Sequence, residues 1–196
     1  MMSTWTWLTE PLPLDAANTR RWADGSQTEF LNDPADLAAW LGEARPRLPR
    51  HRFDLPESFD QHDLIAFREF RDLLIDIFGP QSGGLAAPAA TLARLADTCM
   101  SHPVIRILDE DGPVWAAPEG QEPKGHLIGL VAAESVSLVT APLDRIAVCR
   151  APGCHWFYLQ GRPNQRWCHP DCGNRARVSR HQRRHTAPRT RPADEE

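Results

Sequence analysis

The chain has 196 residues, enough for one ordinary domain and a small appendage, and 41% of them are hydrophobic, with seven tryptophans to anchor a core. No apolar run reaches the length of a membrane span, and the opening MMSTWTWLTEPLPLD lacks the basic and continuous apolar stretches of a secretory signal, so the expected compartment is the cytoplasm, with thiols reduced. The net charge of −4 hides a division: residues 149–191 carry +9, residues 1–148 carry −10 and residues 192–196 carry −3. A basic end of this size calls for an anionic partner, usually nucleic acid, or for docking on the chain's own acidic part.

In chain order, LDAANTRR at 14–21 reads as a short first helix. Asn32-Asp33-Pro34 opens a second, with Leu37, Trp40 and Leu41 on its apolar side and Gly42 and Pro46 limiting its length. The clearest helix is 56–79, where Phe59, Ala66, Phe70, Leu73 and Ile77 follow helical spacing while Phe67, Leu74 and Phe78 add a second stripe. Two apolar sides place it centrally in a core, and Gly79-Pro80 is expected to stop it. A further helix is expected over 88–100, with Leu92, Leu95, Ala96 and Cys99 on one face. VIRIL, DEDG and PVWAA predict a β-hairpin over 104–117. Residues 126–140 suit a buried helix, although Val136 to Val139 also fit a strand, and 187–196 predicts a disordered tail.

Four of the five cysteines fall within 149–172, as C-x4-C-x13-C-x3-C. Paired short spacings joined by a longer loop bring four soft ligands to one tetrahedral zinc from two directions. Ala151-Pro152-Gly153 supplies a turn between the first pair, and the second pair shares one helical face at i, i+4. Pro170 belongs in a helix's first turn, where the dipole favours thiolate. One structural zinc on Cys149, Cys154, Cys168 and Cys172 is therefore expected, with His169, His181 and His185 as less suited substitutes and Cys99 as a core residue. Four protein ligands leave no open position for catalysis. Residues 155–159 read as a strand whose aromatics build a mini-core, and Arg177, Arg180 and Arg184 line one face of the helix that follows, flanked by Arg175 and Arg183.

The tract CRAPGC…FYL…NQRWCHPDCGNRARVSRHQRR, with Cys-Gly-Asn-Arg at 172–175, resembles the CGNR zinc finger. LDAANT at 14–19 and DPADLAAWL at 33–41 resemble the ABATE domain, named for stress-induced transcription regulation in bacteria. QGRPNQ and Gln165 depart from the finger's commoner loop. The resemblance implies DNA binding by the finger and assigns no ligand or activity to the N-terminal domain.

The fold class expected is α+β, mainly α: a helical domain over 12–145 with a small β-hairpin, a four-cysteine zinc finger over 146–186 ending in a basic helix, and a tail over 187–196. The function expected is transcription regulation through DNA, contacted by Arg162, Arg166, Arg175, Arg177, Arg180, Arg183 and Arg184. The alternatives are a protein-interaction module whose finger docks on an acidic partner, and RNA binding with Trp156, Phe157 and Tyr158 stacking on bases. One finger presents little surface, so high specificity calls for a homodimer or a partner. An enzyme is not expected: Asp15, Asn18, His62 and Asp63 could be assembled into a site, but they have no recognised catalytic spacing.

Overall fold

The structure, a computed structural model, describes residues 9–23, 25–142 and 145–186, with side chains through Arg183. The expected tail at 187–196 lies outside the described residues. Two aspartates fix where the central helix begins. Asp60 accepts the N–H of Asp63 at 3.0 Å, and the Asp63 carboxylate accepts the N–H of Asp60 at 2.7 Å. This reciprocal cap starts α3 at Gln61–Ser82, five residues later than the sequence suggests. The helix also continues through Pro80 rather than stopping there. The proline removes only the bond to the carbonyl of Asp76, on an exposed turn, while Gln81 is buried and donates to Val139 O at 3.2 Å. Docking of the last turn thus overrides the local stop signal.

Leu64, Phe67, Leu74, Ile77 and Phe78 of α3 are at most 1% exposed, so both apolar stripes are used. Around it pack α1 (Leu12–Ala17), α2 (Pro34–Ala44), α4 (Ala89–Ser101) and α5 (Pro123–Val139). Helix α2 has its own reciprocal cap, Asp33 with Asp36, and Trp40 meets Phe67 with ring centroids 5.0 Å apart. Leu92, Leu95 and Cys99 of α4 face the core as expected, but Ala96 is exposed. Val136 to Val139 are helical.

Among the described residues, three antiparallel hairpins complete the fold. The expected one is β3 (Ile105–Asp109) with β4 (Gly112–Ala116). An unexpected one, β1 (Arg20–Ala23) with β2 (Ser26–Glu29), replaces the end of the first helix, which stops at Ala17. Buried Arg71 of α3 holds it, reaching Glu29 at 2.6 Å and Asp72 at 2.9 Å, while Arg20 reaches Asp72 at 2.6 Å. The third pairs β5 (Ile146–Val148) with β6 (Phe157–Leu159), and α6 (Pro170–Thr186) follows.

The third hairpin faces two ways, because neighbouring strand residues point to opposite sides. Ile146, Val148, Phe157 and Leu159 join the helical core, and the Phe157 ring lies 6.1 Å from that of Phe78. Ala147, Trp156 and Tyr158 join the cysteines. The 155–159 aromatics therefore do not all build the mini-core: Phe157 belongs to the main one.

The free edge of β6 is closed by side chains from the start of the chain. Asn18 donates to Phe157 O at 2.9 Å and accepts from Phe157 N at 2.8 Å, so one amide imitates a neighbouring strand. Glu10 accepts from Leu159 N at 2.8 Å. Burial pushes the Glu10 carboxyl up to about 7, against the pull of that N–H, and Asp15 adds to the rise. Replacing Asn18 by alanine leaves both Phe157 groups without partners at a partly buried edge. A loss of about 1–3 kcal/mol is expected, seen as a melting midpoint lower by several degrees. An unchanged midpoint would show that Asn18 does not hold the hairpin.

Candidate metal centre

The four cysteines arrive from two local devices. Strand β5 ends at Val148, and Cys149 N continues the ladder by donating to Trp156 O at 2.9 Å. The chain then turns through Pro152 and Gly153, whose φ of +69° is the left-handed conformation glycine adopts without strain. Cys154 N closes the turn onto Ala151 O at 3.0 Å. Cys168 precedes α6, Pro170 opens that helix, and Cys172 lies in its first turn.

All four sulfurs lie within 4.8 Å of one another, with Cys154 to Cys168 at 3.8 Å and Cys168 to Cys172 at 3.6 Å. Zinc–sulfur bonds of about 2.3 Å at the corners of a tetrahedron separate the sulfurs by about 3.8 Å, so the set fits one zinc. It does not fit disulfides, whose sulfurs sit about 2.05 Å apart. Cys149, Cys154 and Cys172 are buried and Cys168 is partly so. Among the protein groups alone, thiol hydrogen bonds from Cys154 and Cys168 pull Cys149 far below the usual thiol range, which leaves Cys154 and Cys168 above it. A divalent cation among the sulfurs would favour the thiolate form of its ligands.

The residues after Cys172 serve the same centre. A Cβ on Gly173 would stand 3.1 Å from Trp167 Cδ1, so glycine lets the indole lie against the helix. Asn174 accepts from Arg177. Arg175 donates to Cys172 Sγ at 3.1 Å. One Zn2+ with four thiolates carries a charge of −2, and the Arg175 guanidinium offsets part of it while stiffening a ligand. Arg175, expected at nucleic acid, is thus also engaged with a metal ligand. His169 pairs with Asp171 at 3.2 Å instead of joining the sulfurs, and exposed His181 lies farther along α6. The side chain of His185 lies outside the described residues, as does that of Arg184.

The remaining expected contact residues are exposed: Arg162 and Arg166 on the loop before Cys168, and Arg177, Arg180 and Arg183 on α6. Arg145 and Arg150, outside the expected set, are exposed too. None of these arginines, Arg175 included, forms an ion pair among the described residues. The helical domain differs in degree: Arg20, Arg47, Arg50, Arg52, Arg68 and Arg71 pair with carboxylates, while Arg21, Arg45, Arg94 and Arg106 form no ion pair among the described residues. Asp15, Asn18, His62 and Asp63 are not brought together as a separate site. Asp15 pairs with Arg47 at 2.7 Å, and Asn18 holds β6. Asp60, His62 and Asp63 bring potential metal-ligating atoms close together, but both carboxylates cap α3 and bind Lys124, at 3.2 and 2.6 Å. Cys99 is partly buried against the helical core, and burial raises its thiol.

Two outcomes are expected of the metal. Elemental analysis should find one zinc per chain, and a Cys168→Ser, Cys172→Ser chain should lose it. Full retention would overturn the ligand set. Arg175→Ala should keep the one-to-one stoichiometry yet give up zinc to a competing chelator about 10–100-fold more readily. Equal competition curves would remove Arg175 from the centre.

No described helix is long and apolar enough to cross a membrane. No curated protein matches the chain. Residues 145–185 match the CGNR zinc finger, and residues 10–142 match ABATE, described as "Putative stress-induced transcription regulator". The chain belongs to the ABATE family, its helical domain joined through the two-faced hairpin to a CGNR zinc finger that holds one structural zinc.

Proposed function

We propose that this protein is a bacterial transcription regulator that acts in the cytoplasm by binding DNA through its finger. The observation that carries the reading is the contrast in charge pairing. An acidic domain lies in the same chain, yet the finger's described arginines form no ion pairs with it and stay exposed. That arrangement favours an external polyanion over docking of the finger on its own chain. Zinc has a structural part here, since four thiolates close its coordination and leave no place for a water nucleophile. The reading is therefore of a binding protein and not an enzyme.

The contact element is α6. Cys172, Gly173 and Ala176 fix its first turns against the metal unit, and from Arg177 onward its described side chains are mostly exposed. The ten residues from Arg177 to Thr186 extend about 15 Å, enough to reach into or along a groove of duplex DNA. Arginine forks there bind phosphate oxygens or guanine edges. RNA is the weaker reading, because of the three expected stacking rings Phe157 and Tyr158 are buried and Trp156 is half-buried.

Changing Arg177, Arg180 and Arg183 together to alanine should weaken binding to mixed-sequence duplexes. It should also flatten the log–log salt dependence by up to about three units, near 0.9 for each lost phosphate contact. Zinc content should stay at one per chain. Parental affinity and slope at every salt concentration would sink α6 as the contact element.

A further inference from the structure

We propose that the DNA footprint extends beyond the finger, through an arginine-lined trough that crosses the β5–β6 hairpin and ends on the helical domain at Arg21 and Trp22. This inference rests on the DNA-binding reading above. Three clefts make the trough, of about 430, 710 and 240 Å³. The first and second share Val148 and His155, and the second and third share Gln160 and Pro163, so they lie next to one another in that order. Arg21 lies in the first, Arg150 and Arg166 in the second, and Arg145 and Arg162 in the third. No carboxylate lines any of them.

The domain end has features that a solvated surface does not need. The Arg21 guanidinium sits 5.7 Å from the ring centroids of both Phe30 and Trp156. Aromatic faces hold a cation in place without cancelling its charge. Its neighbour Arg20 is instead paired with Asp72, so it adds little. Trp22 is 61% exposed on a strand of four residues, an indole that no core claims. Cations spread along an open path, with an exposed ring at one end, suit the backbone of a DNA strand: phosphates meet the arginines and the indole packs on a sugar. A small anion would instead call for cations gathered round one enclosed point.

The test uses the full zinc-loaded chain and a mixed-sequence duplex of about 20 base pairs at several salt concentrations. An Arg21→Gln, Arg145→Gln, Arg150→Gln chain keeps α6 intact. It should bind at least about tenfold more weakly at low salt, with a slope flatter by up to about three units. Trp22→Ala, at an exposed position, should weaken binding with the slope unchanged, because it removes an apolar contact and no charge. Zinc content and melting midpoint report whether each variant is folded. If both trough variants bind as the parent does while the α6 variant is weakened, the trough lies outside the footprint and the α6 reading stands. If the trough variants are weakened and the α6 variant is not, the trough stands and the α6 contact falls. If the parent binds no duplex at all, both fall.

Discussion

Side-chain alternation along Phe157-Tyr158-Leu159 is what the rest of the molecule depends on. Phe157 and Leu159 face the helical core, and Tyr158 faces the cysteines with its hydroxyl donating to Gln165 O at 2.7 Å. A shift of one residue in the register with β5 would exchange these faces, sending a phenyl ring toward the thiolates and a phenol into the helices. The ladder to Ile146–Val148, the Asn18 amide and the Glu10 carboxylate fix that register from both edges. The metal unit therefore gains its orientation from the helical domain, and the helical domain gains four apolar side chains from the hairpin.

Charge is handled in opposite ways on the two sides of this hairpin. The helical domain holds most of the acids and uses several of them locally, in the two reciprocal caps and in ion pairs with its own arginines. The finger has Asp171 beside His169 and little else acidic, so its arginines repel one another and stay in solvent. A chain polarised in this way is turned by the field of a polyanion so that its basic end arrives first, while the acidic body is kept away. Local pairing within the body and its absence from the finger thus serve one electrostatic purpose, which a uniform surface of the same net charge would not.

The sequence revealed those parts that depend on short-range chemistry. Four thiols at fixed spacing around Pro152-Gly153 and Pro170 need only local geometry to converge, so the ligand set was legible in full. The two stripes of α3 were legible because burial on both sides repeats every turn. The parts that were missed depend on distant partners. The β1–β2 hairpin has four-residue strands without clean alternation and is held by buried Arg71, forty-two positions from Glu29 in sequence. Asp24-Gly25 was the local turn signal for it. The continuation through Pro80 depends on Gln81 meeting α5, and the role of Arg175 at Cys172 depends on a rotamer that spacing does not specify.

The CGNR run links these scales. Within four residues it supplies a ligand, a glycine that admits Trp167, an asparagine that accepts from Arg177 and an arginine that donates to the ligand sulfur. Each is local, yet together they set the angle at which α6 leaves the metal. The cluster around the cysteines has few apolar side chains of its own, too few to hold a helix whose outer turns pack on little. Zinc would supply the missing hold at one point, and Trp156 and Tyr158 of the metal unit share the hairpin with Phe157 and Leu159 of the helical core. The metal unit on one face of β6 and Phe78 of α3 on the other thus share one strand, and Cys172 ties the first turn of α6 to that shared strand.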